Sequence, residues 1–154
     1  MGRKSMRAAG IAFIALALAG CQSLETLDTK NSSPTHQAFV GQNAVVVGAK
    51  HYAAGNFGLA EKSFRSAVEA TPGSGRAWLG LAASYDQLGR FELADRAYAH
   101  LLKENGRKPS ILNNQGYSYI LRGEMDKART ILSEAQALAP ENTIISGNLE
   151  LTNG

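Results

Sequence analysis

Between residues 41 and 142 the apolar positions recur in blocks separated by glycine or proline. From Trp78 the spacing runs Trp78, Leu81, Ala82, Tyr85, Leu88, one face of a helix. Gly89 follows as a residue able to take positive φ at a helix end. A second stripe then runs Phe91, Leu93, Ala94, Ala97, Tyr98, Leu101 and Leu102. The same two-helix pattern returns 34 residues later as Leu112, Gly116 and Tyr119, Gly123, then Met125, Ala128, Leu132 and Ala135. It also occurs 34 residues earlier, with Gly55, Phe57, Ala60 and Phe64 at the matching places. An ungapped period of this length marks a helix-turn-helix repeat, so the pattern predicts an all-α solenoid.

The period divides the chain into repeats at 41–74, 75–108 and 109–142. Ile144, Ile145, Leu149 and Leu151 supply a capping helix over 143–152, with Asn142 or Thr143 as its N-cap. Small residues at Gly48, Ala82 and Gly116, and at Ala60, Ala94 and Ala128, allow neighbouring helix axes to approach. Phe64, Tyr98 and Leu132 are their bulky complements. Together these positions resemble the tetratricopeptide repeat (TPR): an aromatic or Leu, a small residue four later and Tyr in the first helix; Ala and a bulky residue in the second; Pro or Gly at the close, as at Pro72, Gly106 and Pro140. The resemblance implies that the first helices of the repeats line a groove that binds a protein segment. The groove residues expected on that basis are Tyr52, Arg76, Leu79, Asp86, Gln87, Asn113, Tyr117 and Leu121. Amide side chains there can hydrogen-bond a peptide backbone, and tyrosines offer rigid contact area.

The first forty residues follow another logic. Arg3, Lys4 and Arg7 precede an apolar run from Ala8 to Ala19, shorter than the ~20 residues needed to cross a bilayer. Leu18-Ala19-Gly20-Cys21 then resembles a bacterial lipobox, which implies a signal peptide over 1–20 and an acylated Cys21 as the first mature residue. The alternative is an uncleaved inner-membrane anchor with Cys21 as a bystander. Acyl chains contribute about 0.8 kcal/mol per buried methylene, so two or more hold a protein on a membrane. Gln22 in place of aspartate implies the outer membrane, with the folded part in the periplasm. Residues 21–40 are polar and turn-prone and read as a flexible tether.

Charge changes the picture only once the leader is set aside. Three of the sixteen basic residues precede Cys21, and all thirteen acids follow it, so the remainder is formally neutral. A neutral chain lacks the basic field that nucleic-acid binding needs. The lone cysteine excludes an internal disulfide, and His36, His51 and His100 are dispersed. No phosphate loop, carboxylate pair or metal-ligand spacing occurs, so no enzyme, cofactor, metal or small-molecule substrate is expected. Glu61-Lys62 and Asp95-Arg96 read as solvated helix faces.

Within the TPR class, Leu112-Asn113-Asn114-Gln115-Gly116-Tyr117-Ser118, Gly123-Glu124-Met125-Asp126-Lys127-Ala128, Pro140 and Asn148-Leu149 are similar to the TadD lipoproteins of Flp (tight-adherence) pilus assembly. That resemblance covers about forty residues. It implies a membrane-anchored scaffold whose partners are pilus or secretion-machine subunits, among them a secretin. The alternatives are a pilotin-like type IV pilus factor or an adaptor for envelope enzymes.

Overall fold

A computed structural model describes residues 33–153, which form seven α-helices and a closing 3₁₀ turn at Leu151–Asn153. The helices are α1 (Pro34–Ala53), α2 (Phe57–Ala70), α3 (Gly75–Gln87), α4 (Phe91–Asn105), α5 (Pro109–Leu121), α6 (Met125–Leu138) and α7 (Thr143–Glu150). The fold is the expected all-α solenoid: each odd helix pairs with the even helix after it, and α7 closes the stack. Residues 1–32, with the leader, Cys21 and most of the tether, lie outside the described residues. Among those described, no helix is long and apolar enough to cross a membrane.

The turn inside each repeat is built the same way three times. At the end of α3 the Gly89 amide donates to the Asp86 carbonyl, and the Arg90 amide donates to the Tyr85 carbonyl. Gly55 and Asn56 repeat this pair at the end of α1, as do Gly123 and Glu124 at the end of α5. This is the Schellman closure, and its glycine must be left-handed; φ is +74°, +68° and +74° at Gly55, Gly89 and Gly123. A larger residue would clash with its own carbonyl there.

Helix α1 starts earlier than the composition suggests. Residues 34–40, assigned above to the tether, are its first two turns. Ser33 is the N-cap, its hydroxyl accepting from the His36 amide, and Pro34 occupies the first helical position. A Ser-Pro pair is as much a helix start as a loop signal, because proline's missing N–H costs nothing in the first turn. At the other end Asn142 caps α7, its side-chain oxygen accepting from the amides of Ile144 and Ile145.

The core follows the small-and-large pattern. Ala60, Ala94 and Ala128 are fully buried, as are Tyr98 and Leu132. Phe64 fits between α1 and α3 because a glycine stands on each side of its ring: a Cβ on Gly48 would crowd the ring, and one on Gly80 would overlap it. Gly80 lacks any place in the repeat signature, and only the packing reveals why it is there. Mid-helix glycine costs roughly 0.5–1 kcal/mol relative to alanine. Gly80→Ala should nevertheless lower the melting temperature, because the ring has no space to yield. Gly147→Ala in α7, where an added Cβ meets nothing, should raise it. Thermal denaturation of the two variants checks the pair; a stabilised Gly80→Ala would refute the packing account.

Candidate functional site

The odd helices touch one another in sequence, α1 with α3, α3 with α5 and α5 with α7. The even helices meet at most marginally. A stack that is tight along one row of helices and open along the other must curve toward the tight row. The odd helices therefore line the concave side.

A cleft of about 300 Å³ lies on that side between α1 and α3, reaching α5. Val45, Ala49, Leu79 and Ala83 form its apolar walls, with Tyr52, Arg76 and Asn114 around them. A second cleft of about 300 Å³ runs from Arg76 and Leu79 toward Lys108, Ser110 and Ile111. A third, of about 620 Å³, opens between α1 and the turn before α3, again with Arg76 at its edge. Tyr52 is half-buried, and its ring meets Phe57 edge-on at 5.2 Å between centroids. Burial pushes the Tyr52 phenol above its ordinary pKa, the Gln87 side chain offsets part of that, and Tyr117 and Asp86 act in the same sense as burial. Gln87 and Tyr117, on the next two odd helices, are thus near enough to Tyr52 to act on its phenol. Arg76 and Leu121 are exposed, and Leu79 is half-buried.

Two of the expected groove residues have other work. Asp86 is buried, at 6% exposure, and belongs to the core. Its carboxylate accepts from the Tyr98 hydroxyl at 2.8 Å and from the Ser118 hydroxyl at 2.5 Å. The Arg122 guanidinium stands 3.9 Å away, itself bonded to Ser118 and by two hydrogen bonds to Asp95. One network thereby ties α3, α4 and α5 together. Desolvation raises the Asp86 pKa above the usual carboxylate value; the Ser118 and Tyr98 hydrogen bonds and Arg122 work against that, and Asp95 with it. Burial likewise drives the Tyr98 phenol well up, reinforced by the adjacent carboxylate. Asp86 corresponds to Tyr52 and Ile120 in the flanking repeats. A carboxylate where the other repeats carry large, mainly apolar side chains was the available signal that it is buried and bonded.

Asn113 is the second correction. Its side-chain oxygen accepts from the Asn148 amide of α7 at 2.9 Å, so it helps seat the cap. The next residue, Asn114, lines the concave cleft, with its amide donating to the Ser110 carbonyl. Asn113 shares the repeat position of Leu79, and in the last repeat that position meets the closing helix.

The two charge pairs read as solvated faces also differ. Glu61 is buried, at 8% exposure, and accepts from Arg65 and, at 2.7 Å, from Arg90 beyond α3. Asp95 holds Arg122 from α4. Both carboxylates join neighbouring repeats. The His100 ring lies tilted against Trp78 within the second repeat, 4.1 Å between centroids, and the Trp78 indole donates to the Pro72 carbonyl, so this histidine packs on a side chain that bridges two repeats. Among the described residues no three His, Cys, Asp or Glu side chains gather as metal ligands would.

Two tetratricopeptide repeat profiles match residues 51–113 and 109–142, together more than half of the sequence. The chain belongs to the tetratricopeptide repeat family. Its fold is similar to PilF of Pseudomonas aeruginosa, at 27% identity and a TM-score of 0.66 over 77% of this chain and 54% of that one. The chain thus spans about half the length of PilF. The TPR domain of Arabidopsis OM64 superposes with a TM-score of 0.68 at 13% identity, over 76% and 97% of the two chains. The Yersinia enterocolitica type III secretion chaperone SycD, solved with a peptide of the translocator YopD, gives 0.62 at 22% identity over 79% and 95%. The last two show the fold alone. No curated protein matches the sequence significantly.

Proposed function

We propose that the chain is a non-enzymatic adaptor, anchored through lipid on Cys21 to the outer membrane, whose concave groove holds a segment of a pilus or secretion-machine subunit. Its machine is the Flp (tight-adherence) pilus, and a secretin is the foremost partner. The observation that carries the binding role is the composition of the odd-helix face. Tyr52 and Asn114 set an amphipathic ring and an amide beside the aliphatic walls of the cleft, and Gln87 and Tyr117 lie near Tyr52. Proteins of the same fold bind peptides, SycD with its YopD peptide among them, which supports a peptide ligand here. The TadD resemblance of residues 112–149 and the lipobox-like Leu18-Ala19-Gly20-Cys21 support the machine and the membrane.

A second reading, a pilotin-like type IV pilus factor, is favoured by the 27% identity to PilF; the short span of that protein covered here counts against it.

Affinity capture with the full chain, from cells making each pilus system, tests both. Capture of Flp subunits that is lost in the Tyr52→Ala/Asn114→Ala/Tyr117→Ala variant, at unchanged helix content, is the expected result. Capture that survives the triple variant would move the binding surface elsewhere. Capture of type IV pilus subunits alone would favour the second reading. Metabolic labelling with a fatty acid, lost in Cys21→Ser, tests the anchor.

A further inference from the structure

Among the described residues nothing covers the outer surface of α1. Phe39 and Val46 are 68% and 65% exposed, and Val40 and Val47 are 40% and 39% exposed. With a turn of about 100° per residue, these four fall with Asn43 inside an arc of about 120°, and Asn43 lies at its middle. The arc is opposite Gly41, Val45 and Gly48, the buried side of the helix. The counterparts of Asn43, Val47 and Lys50 in α3 are Ala77, Leu81 and Ser84, all buried. A face that neighbouring helices close in α3 is therefore open in α1. Solenoid ends normally carry a polar outer face for solubility. This one sets four large apolar side chains side by side, and a contiguous exposed patch of that kind is often functional.

The geometry points to a second copy of this chain as the occupant, with the two α1 helices packed antiparallel about a two-fold axis through Asn43. The spacing of the stripe is what selects this partner. Phe39 and Val40 lie four and three residues before Asn43; Val46 and Val47 lie three and four after it. Antiparallel packing on that axis sets Phe39 against the partner's Val47 and Val40 against the partner's Val46, twice over. Such reciprocity is the defining property of a two-fold interface. Asn43 then meets the partner's Asn43, and a primary amide, being donor and acceptor at once, can satisfy its own copy. A single polar pair in an apolar seam also fixes its register. Lys50 is the one formally charged residue of α1, and it falls near the end of the seam, so no charge is buried. A foreign helix would have to be uncharged and spaced in the same way; α1 already is.

Two measurements on the full chain test this. In sedimentation equilibrium the unaltered chain should behave as a dimer. Val46→Glu, at an exposed site, should reduce the dimer fraction at least tenfold with helix content unchanged. In the second, single cysteines are placed in a Cys21→Ser background and oxidised in air. Asn43→Cys should form a disulfide-linked dimer, because like residues on the axis approach within the ~7 Å that a disulfide spans between Cα atoms. Lys50→Cys should not, because its two copies lie about 21 Å apart along the helices. A monomer at every concentration overturns the proposal, as does a Val46→Glu chain that remains dimeric. Linkage through Lys50→Cys as efficient as through Asn43→Cys overturns it too, since that would mean parallel helices.

Discussion

Asp86→Ala is expected to destabilise the fold by about 3 kcal/mol, because it strands two buried hydroxyl donors whose loss of a partner costs roughly 1–3 kcal/mol each. Tyr98 and Ser118 are buried at 1% and 0% exposure, so water cannot replace the carboxylate. For a domain of this size that corresponds to a fall of about 10 °C in melting temperature. Asp86→Asn should cost less, since an amide retains an acceptor and adds a donor that either hydroxyl can use. The pH dependence follows from the direction of the shift. The folded pKa of Asp86 is raised, with burial the largest cause, so the folded state holds this proton more tightly than the unfolded chain does. The stability from this group is fully present below the ordinary carboxylate pKa and is lost as pH rises through the folded value. The margin of the natural chain over Asp86→Asn should therefore be larger near pH 4 than at pH 7. Thermal melts at the two values decide it. A margin that grows with pH would mean that the Ser118 and Tyr98 hydrogen bonds, with Arg122, outweigh burial.

Ala94→Leu should lower stability by about 1–3 kcal/mol, the usual cost of overpacking, while Ala99→Leu on the same helix should change it little. Ala94 is fully buried and Ala99 exposed, so the two variants add the same atoms to one helix at sites that differ in available space. Helix propensity disfavours leucine slightly, and about equally, at both sites and cancels. Equal melting temperatures would refute close approach of the helices as the reason for alanine in the repeat. A loss confined to Ala94→Leu would support the same explanation for Ala60 and Ala128, which are equally buried.

The pattern of apolar residues was enough to place six helices, the turn glycines and the cap, because in a stack of this kind each unit packs mainly on its sequence neighbours. Contacts then recur at a fixed spacing, and spacing can be read directly. Gly89 is a case in point: its position after the last apolar residue of α3 foretold the left-handed closure seen there. The groove was legible to a lesser degree. Helical counting brought Tyr52, Arg76, Leu79, Gln87, Tyr117 and Leu121 onto the odd helices, and of these Tyr52, Arg76 and Leu79 line the cleft between α1 and α3. It could not separate Asn113 from Asn114, one residue apart, because which of them faces the cleft depends on where α7 docks.

The sequence alone determined the repeat, its length, its closing glycines and the balance of charge, since these depend on local geometry and on periodicity. Tertiary structure decided the fate of individual polar groups and of single glycines. Asp86, Glu61 and Asp95 look alike in the chain as acids on amphipathic helices; two of them are buried, and all three bridge repeats because Tyr98, Ser118, Arg90 and Arg122 reach them from 12 to 32 residues away in sequence. Whether a charge is solvated or enclosed depends on what stands opposite it in space, and that neighbour is supplied by another helix.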